Sequence, residues 1–299
     1  MKAAAGAAGA RRALCLLLCL AALACSQGCG EVQSEPVRVV ASSFGGYSLA
    51  KAVAGEHAVV NLMSTQDDDP HGYQPDAFSI ANLACADLLI TMGEDIDTWL
   101  PELRRDIDRA QTVVLDLSAE GDPHRLLLPR EAAAAALEVA QQLKTLDEQH
   151  GEDYEAAAGQ LSEQLEALDE RLAEALAEAL APGFSFAVAG ANPYGCLEEL
   201  PGVVLVAAGE GCNGETEQWD EELLEKARKA GVQMLLFNER DDADKVQALA
   251  QELGVETLFW HALHMVPQEQ REEGATLLSL LEQTVEALEQ HALREEKGA

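Results

Sequence analysis

Basic side chains are scarce in this sequence: 20 lysines and arginines stand against 53 aspartates and glutamates, a formal net charge of −33 at pH 7. Phosphate backbones repel such a chain, which excludes nucleic acid as a partner. The balance permits cations, although a solvated acidic surface is its commoner origin. Long apolar runs are lacking too: none reaches the roughly 18 residues that a membrane-spanning helix requires. Neither a paired-cysteine zinc ribbon nor an H-E-x-x-H helix is present, so the zinc sites that are local in sequence are excluded.

What is present begins with an export pattern. Lys2, Arg11 and Arg12 flank the apolar segment Ala13 to Leu23, and Ala22-Leu23-Ala24 then offers an A-x-A cleavage site directly before Cys25. The expectation is a signal peptide over residues 1–24 and a tether over 25–35, with Cys25 carrying a lipid. Plain secretion is the alternative. Either way the protein is placed in the periplasm or at the cell surface, where disulfides are permitted. Cys196 and Cys212 are then candidates to pair, and Cys85, in the apolar run IANLACADLLI, reads as a buried small side chain.

Beyond the tether, β-rich runs alternate with helical patterns. VRVVAS, HAVVNLMS, DLLITMG and TVVLDLS are the strands of a first half, and FSFAVAG, GVVLVAAG, VQMLLFNE and VETLFWH those of a second. Alternation of this kind builds βαβ units and parallel sheets. Between the halves, Leu161, Leu165, Leu168, Leu172, Leu176 and Leu180 recur at helical spacing with charge on the other faces. At 1.5 Å per residue this helix spans roughly 45 Å. The predicted fold class is α/β, two parallel-sheet lobes joined by a single long α-helix: an N-terminal lobe over 36–151, the helix over 152–181 and a C-terminal lobe over 182–299. A coiled-coil dimer is the rival reading of the helix; a monomer is expected.

Two histidines occur in one frame, Asp69-Pro70-His71 and Asp122-Pro123-His124. Proline fixes its own backbone and restricts its predecessor, so the histidine after it is aimed. A lone Asp-Pro-His is ordinarily a turn with an exposed ring. Here His71 follows the second strand, His124 the fourth, and His261 ends the last strand of the second half. Ligands of open parallel sheets gather beyond the carboxyl ends of strands, and neutral imidazole suits zinc and similar ions. His57, His150 and His291, at a strand start or on polar helical surface, read as ordinary.

The runs VVASSFGGYSLAKAVAGEHAVVNLMS, DPHGYQPDAFSIANLACADLLITMGEDIDTWL, VVLDLS…DPH and QALAQELGVETLFWHAL together resemble the zinc- and manganese-specific solute-binding proteins of bacterial ABC importers. The resemblance covers nearly all of the chain beyond the tether. It implies a metal bound between two α/β lobes and delivered to an ABC transporter permease, with His71 and His124 as first-lobe ligands. The family's third ligand, a histidine or glutamate, is absent from the matching stretch Ala189 to Tyr194, where only Asn192 offers an oxygen. The usual aspartate after the last strand aligns with His261. Gln74 replaces a usual glutamate, and Leu126 and Leu128 a usual tryptophan and aspartate.

The resulting expectation is a non-enzymatic receptor for a divalent metal ion, zinc before manganese, since imidazoles favour zinc and manganese prefers oxygen donors. His71, His124 and His261 are its direct ligands. Asn192, Glu239, His264 or water supplies a fourth position, with His264 read as outer-layer or exposed and Cys212 as a soft alternative. Asp67, Asp68 and Asp69 are read either as raising the local cation concentration or as a solvated loop. Two other readings stay open: a degenerate family member that binds another ligand or acts as a surface interaction protein, and a metalloenzyme with three histidines and an open position.

Overall fold

The computed structural model describes residues 35–63, 70–118, 122–178, 184–208 and 219–298. The expectations for Cys25, Asp67, Asp68, Asp69 and Cys212 lie outside these residues. Among the described residues, eight strands form two four-stranded sheets. In the first, β1 (Val37–Ala41), β2 (Ala58–Leu62), β3 (Leu88–Thr91) and β4 (Val113–Asp116) run parallel in the order β2-β1-β3-β4. In the second, β5 (Phe184–Val188), β6 (Val203–Ala207), β7 (Met234–Phe237) and β8 (Glu256–Phe259) repeat the scheme as β6-β5-β7-β8. Central β3 is buried at all four residues, which is why Leu88-Leu89-Ile90-Thr91 reads as an unbroken apolar run rather than an alternation. Strand order reverses between β1 and β3 and between β5 and β7. The crevices that ligands use therefore open beyond the carboxyl ends of those strands.

Parallel neighbours need crossovers. In the first lobe these include α1 (Phe44–Ala54), α2 (Ala77–Leu83) and α3 (Leu100–Ala110). Ser43 starts α1: its backbone is extended and its Oγ accepts from the Gly46 N–H at 3.2 Å. Asp76 does the same for α2 through the Ser79 N–H. Helix α2 ends before Cys85, which therefore lies in the following turn and is exposed, not buried as expected.

Two helices form the spine. After α4 (Pro129–Leu146) a 3₁₀ turn at Glu148–His150 leads into α5 (Gly151–Glu178), 28 residues or about 42 Å long. The apolar face of α5 (Tyr154, Ala158, Leu165, Leu168, Leu172, Leu176) is buried in the chain's own core, leaving no exposed leucine seam for a coiled-coil partner among the described residues. Helix α4, absent from the sequence reading, lies alongside and buries Ala132, Ala133, Ala135, Ala136, Val139 and Leu143. The second lobe adds α6 (Glu221–Ala230), α7 (Ala243–Leu253), α8 (Gln268–Glu272) and the terminal α9 (Leu277–Gly298). Arg171 of α5 holds Glu289 of α9 through two bonds of 2.9 Å.

One hydrophobic cluster runs through both lobes: Val39 and Ile90 from the first sheet, Phe186 and Leu236 from the second, with Leu168, Leu172, Leu281 and Val285 from α5 and α9. Polar contacts also join the halves, three of them at α1. The Phe44 and Gly45 N–H groups, orphan donors at the start of α1, donate to the carbonyls of His264 and Leu263 at 2.9 and 2.8 Å, and the Leu277 N–H donates to Ser48 Oγ at 2.8 Å.

The histidines read as ordinary are more structured than expected. His57 and His150 stack with ring centroids 4.1 Å apart, and each meets an aspartate, Asp153 and Asp147 respectively. His291 is buried, with Nδ1 3.1 Å from Glu256.

Candidate metal centre

Five loops at the carboxyl ends of strands, those after β2, β4, β5, β7 and β8, meet in one small pocket between the sheets. His71 arrives in a 3₁₀ turn, Pro70–Gly72, after β2. That loop is tied back by Tyr73, whose hydroxyl lies 2.8 Å from Ser79 Oγ and donates to the Met63 carbonyl, and by Thr98 Oγ1, which donates to the His71 carbonyl. His124 follows β4 and is buried. Asp122 Oδ1 accepts both the His124 backbone N–H (2.8 Å) and Nδ1 (2.9 Å). Burial raises the Asp122 carboxyl, but the side-chain and backbone bonds from His124 outweigh it and the net shift is downward. The carboxylate therefore fixes the proton on Nδ1 and leaves the Nε2 lone pair facing the pocket, the arrangement that orients metal-binding histidines. Nε2 is buried and meets no hydrogen-bond partner.

Glu239 follows β7. Its carboxylate is buried, Oε2 accepts from the Ala262 N–H at 3.2 Å, and Oε1 has no hydrogen-bond partner. His264 follows β8 on a loop that passes through left-handed backbone at Leu263 (φ 63). Its ring centroid lies 4.6 Å from that of His124 and 5.9 Å from that of His71, edge to face in both cases. Burial first, then the charges of His124, His71 and Arg240, hold the His264 imidazole well below the usual histidine range, so it is neutral. Its Nε2 is likewise buried without a hydrogen-bond partner.

His71, His124 and Glu239, three of the five residues expected from sequence, thus line the same pocket. The other two are not among its lining residues. Asn192 Oδ1 accepts from the Tyr194 N–H at 3.0 Å in a local turn, while its neighbours Ala191 and Pro193 line the pocket. The His261 ring packs edge-on against Phe259 at 4.6 Å, and its Nδ1 stands 3.6 Å from Glu239 Oε2, too long for a hydrogen bond. His264, read as outer-layer or exposed, is the buried histidine of that loop that lines the pocket. The available signal was its place after the last strand of its sheet, matching that of His124. Cys196 keeps a free thiol, 3.6 Å from the His124 carbonyl oxygen, in place of the disulfide considered for it. Burial pushes that thiol far up, so it is an inert packing group.

Two imidazole nitrogens and one carboxylate oxygen, all buried without hydrogen-bond partners, line a single pocket. Buried polar atoms ordinarily find partners, and a divalent cation satisfies three such donors at once. This donor set of nitrogen with one oxygen suits zinc. As they stand, no three His, Cys, Asp or Glu side chains among the described residues converge closely enough to hold an ion. The rings rest edge against face, so capture requires them to turn.

Residues 39–291 match the family described as zinc-uptake complex component A, periplasmic. Among curated relatives, the zinc-binding lipoprotein AdcA of Streptococcus pneumoniae is 25% identical over 302 residues, covering 93% of this chain and 60% of that one. The high-affinity zinc uptake system protein ZnuA of Bacillus subtilis is 22% identical over 295 residues, covering 90% and 91%. The chain thus spans about 60% of the length of the AdcA relative. Among solved structures, Zn(II)-bound AdcA from Streptococcus pneumoniae superposes with a TM-score of 0.71 at 26% identity, over 85% of this chain and 57% of that one. The laminin-binding protein Lbp of Streptococcus pyogenes gives 0.70 at 19% identity, over 86% and 99%, a likeness of fold alone.

Proposed function

This chain belongs to the family of periplasmic zinc-uptake complex component A, and on that premise we propose that it captures zinc between its lobes and hands it to an ABC importer. The observation that carries this reading is the convergence of partnerless buried donors, His124 Nε2, His264 Nε2 and Glu239 Oε1, on one pocket. His71, at the same pocket from the first lobe, is the fourth donor. Two donors thus come from each lobe, so a bound ion couples them. Manganese is the weaker cargo, because three imidazoles leave too few oxygen donors for it.

Each side chain has a part in capture. Asp122 holds His124 in the tautomer that presents its lone pair. His264, kept neutral by burial, needs to lose no proton. Glu239 supplies the one negative charge of the set, which lowers the cost of bringing a dication into a buried site. The lipid anchor on Cys25, the periplasmic or surface location and docking to a permease belong to the same reading; a relative named as a lipoprotein supports the anchor, and the family's description as a periplasmic component of a zinc-uptake complex supports the location and the hand-over.

Calorimetric titration of chelator-stripped protein with zinc and with manganese tests it. Zinc is expected to bind tighter than micromolar, on the order of −8 kcal/mol, and His124→Ala should abolish most of that affinity. Failure of the wild type to bind either ion would return the chain to the degenerate-receptor reading.

A further inference from the structure

We propose that Arg240 is an affinity-setting residue of this centre, competing with the bound ion for the lone pair of His71. The inference rests on the zinc-capture reading above and adds to it a built-in means of release.

Arg240 Nη1 lies 3.3 Å from His71 Nδ1 across the cleft. A guanidinium only donates, so Nδ1 is the acceptor and the proton of the neutral ring sits on Nε2. A neutral imidazole has one lone pair in the ring plane. On His71 that pair is held by Arg240, and the ring cannot give it to a metal at the same time. The contrast with His124 is direct: there a carboxylate takes the Nδ1 proton and Nε2 is left ready. One histidine of the pocket is preset for an ion, and one is preset against it.

The position of Arg240 follows from its turn. The Asn238 N–H donates to Asp241 Oδ2 at 2.9 Å, Asn238 Oδ1 accepts from the Arg240 N–H at 3.0 Å, and the Asp241 N–H donates to the Asn238 carbonyl. Adjacent residues are thereby divided: Glu239 turns its carboxylate inward, and Arg240 stays exposed beside the pocket and crosses to the other lobe. Its permanent positive charge opposes an incoming dication and takes the His71 lone pair when the ion departs. A carrier that must surrender its cargo gains from such a contact, since a centre satisfied only by metal would release it slowly.

The test uses the full chain without metal and with zinc. Arg240→Met removes donor and charge from an exposed position, and Arg240→Lys keeps the charge without the planar fork. Zinc affinity is read by competition with a chromophoric chelator, and dissociation by mixing with excess chelator. Arg240→Met should tighten Kd and slow dissociation by on the order of tenfold, the scale of a lost charge-assisted hydrogen bond, with Arg240→Lys between it and wild type. Zinc binding by Arg240→Met that is equal to or weaker than wild type overturns the inference while leaving zinc capture standing. Nitrogen-15 spectra of the metal-free wild type report the His71 tautomer whether or not zinc binds. Nε2–H is expected, and Nδ1–H overturns the inference by itself.

Discussion

Gly45 of the first lobe donates its N–H to the carbonyl of Leu263 in the second at 2.8 Å. The loop that carries His264 is therefore docked on the positive end of α1, not merely packed near it. A Cβ at Gly45 would stand 2.9 Å from Leu126 Cδ1 and 3.4 Å from the Leu263 oxygen. Leu126 is buried and has little room to withdraw. Gly45→Ala should therefore destabilise by about 1–3 kcal/mol of overpacking, less about 1 kcal/mol of helix propensity regained. It should also shift His264 and weaken zinc binding. Thermal melts with and without zinc read both effects; an unchanged zinc affinity would show that the docking does not position His264.

His264 and His261 are separated by the same experiment applied to each. His264→Ala should remove most of the zinc-induced rise in melting temperature, which grows with ln(1 + [L]/Kd). Asn192→Ala should leave that rise intact, because its oxygen serves the Tyr194 N–H. His261→Ala should reduce it only through Glu239, by much less than His264→Ala. A larger loss at His261 than at His264 would reverse the assignment.

Asp122→Asn tests orientation without touching a ligand. The neutral amide can still accept from Nδ1–H but holds that tautomer less firmly than the carboxylate, and weakening such a partner costs up to roughly 10–100-fold in metal affinity. Titration should show this drop with folding unchanged by circular dichroism; wild-type affinity would mean that His124 needs no such hold.

Asp97 gives the first lobe a pH dependence of its own. Burial pushes its carboxyl up to about 6, even though one oxygen accepts from Ser42 Oγ and the Met92 N–H. Between the unfolded value near 4 and about 6 the folded chain holds the extra proton. Its stabilising contribution is thus present at low pH and lost as pH rises through about 6, a cost on the order of 3 kcal/mol at neutral pH. Asn at this position keeps an acceptor for both bonds without the charge. Urea unfolding should show Asp97→Asn more stable than wild type at pH 7.5, with the advantage vanishing by pH 4.5.

The parallel strands were legible because burial on both faces writes them as apolar runs: Leu88 to Thr91 and Met234 to Phe237 fall inside the runs DLLITMG and VQMLLFNE. His71 and His124 were legible because proline fixes where they follow the strands. Helix α4 was not, since its buried face is mostly alanine, which carries no large-residue periodicity and acquires meaning only against α5. That His264 and not His261 lines the pocket was equally hidden. It turns on Leu263, a non-glycine residue in left-handed backbone, a conformation that leucine gives no reason to expect. Nor does sequence bring His57 to His150, which meet only because the turn before α5 returns to the start of β2.

The shared core has a consequence for anyone who would take the protein apart. Residues 37–299 form one compact unit, and α5 buries its leucines in one shared core, packed against α1, α4 and α9. Each half has a smaller cluster of its own, but the largest core is shared, so a fragment ending after α5 would leave that helix without its α9 partner and should be recovered from cells only as aggregate or proteolytic debris. The ion-handling loops cannot be transplanted as a cassette. Whoever borrows them must borrow the spine as well.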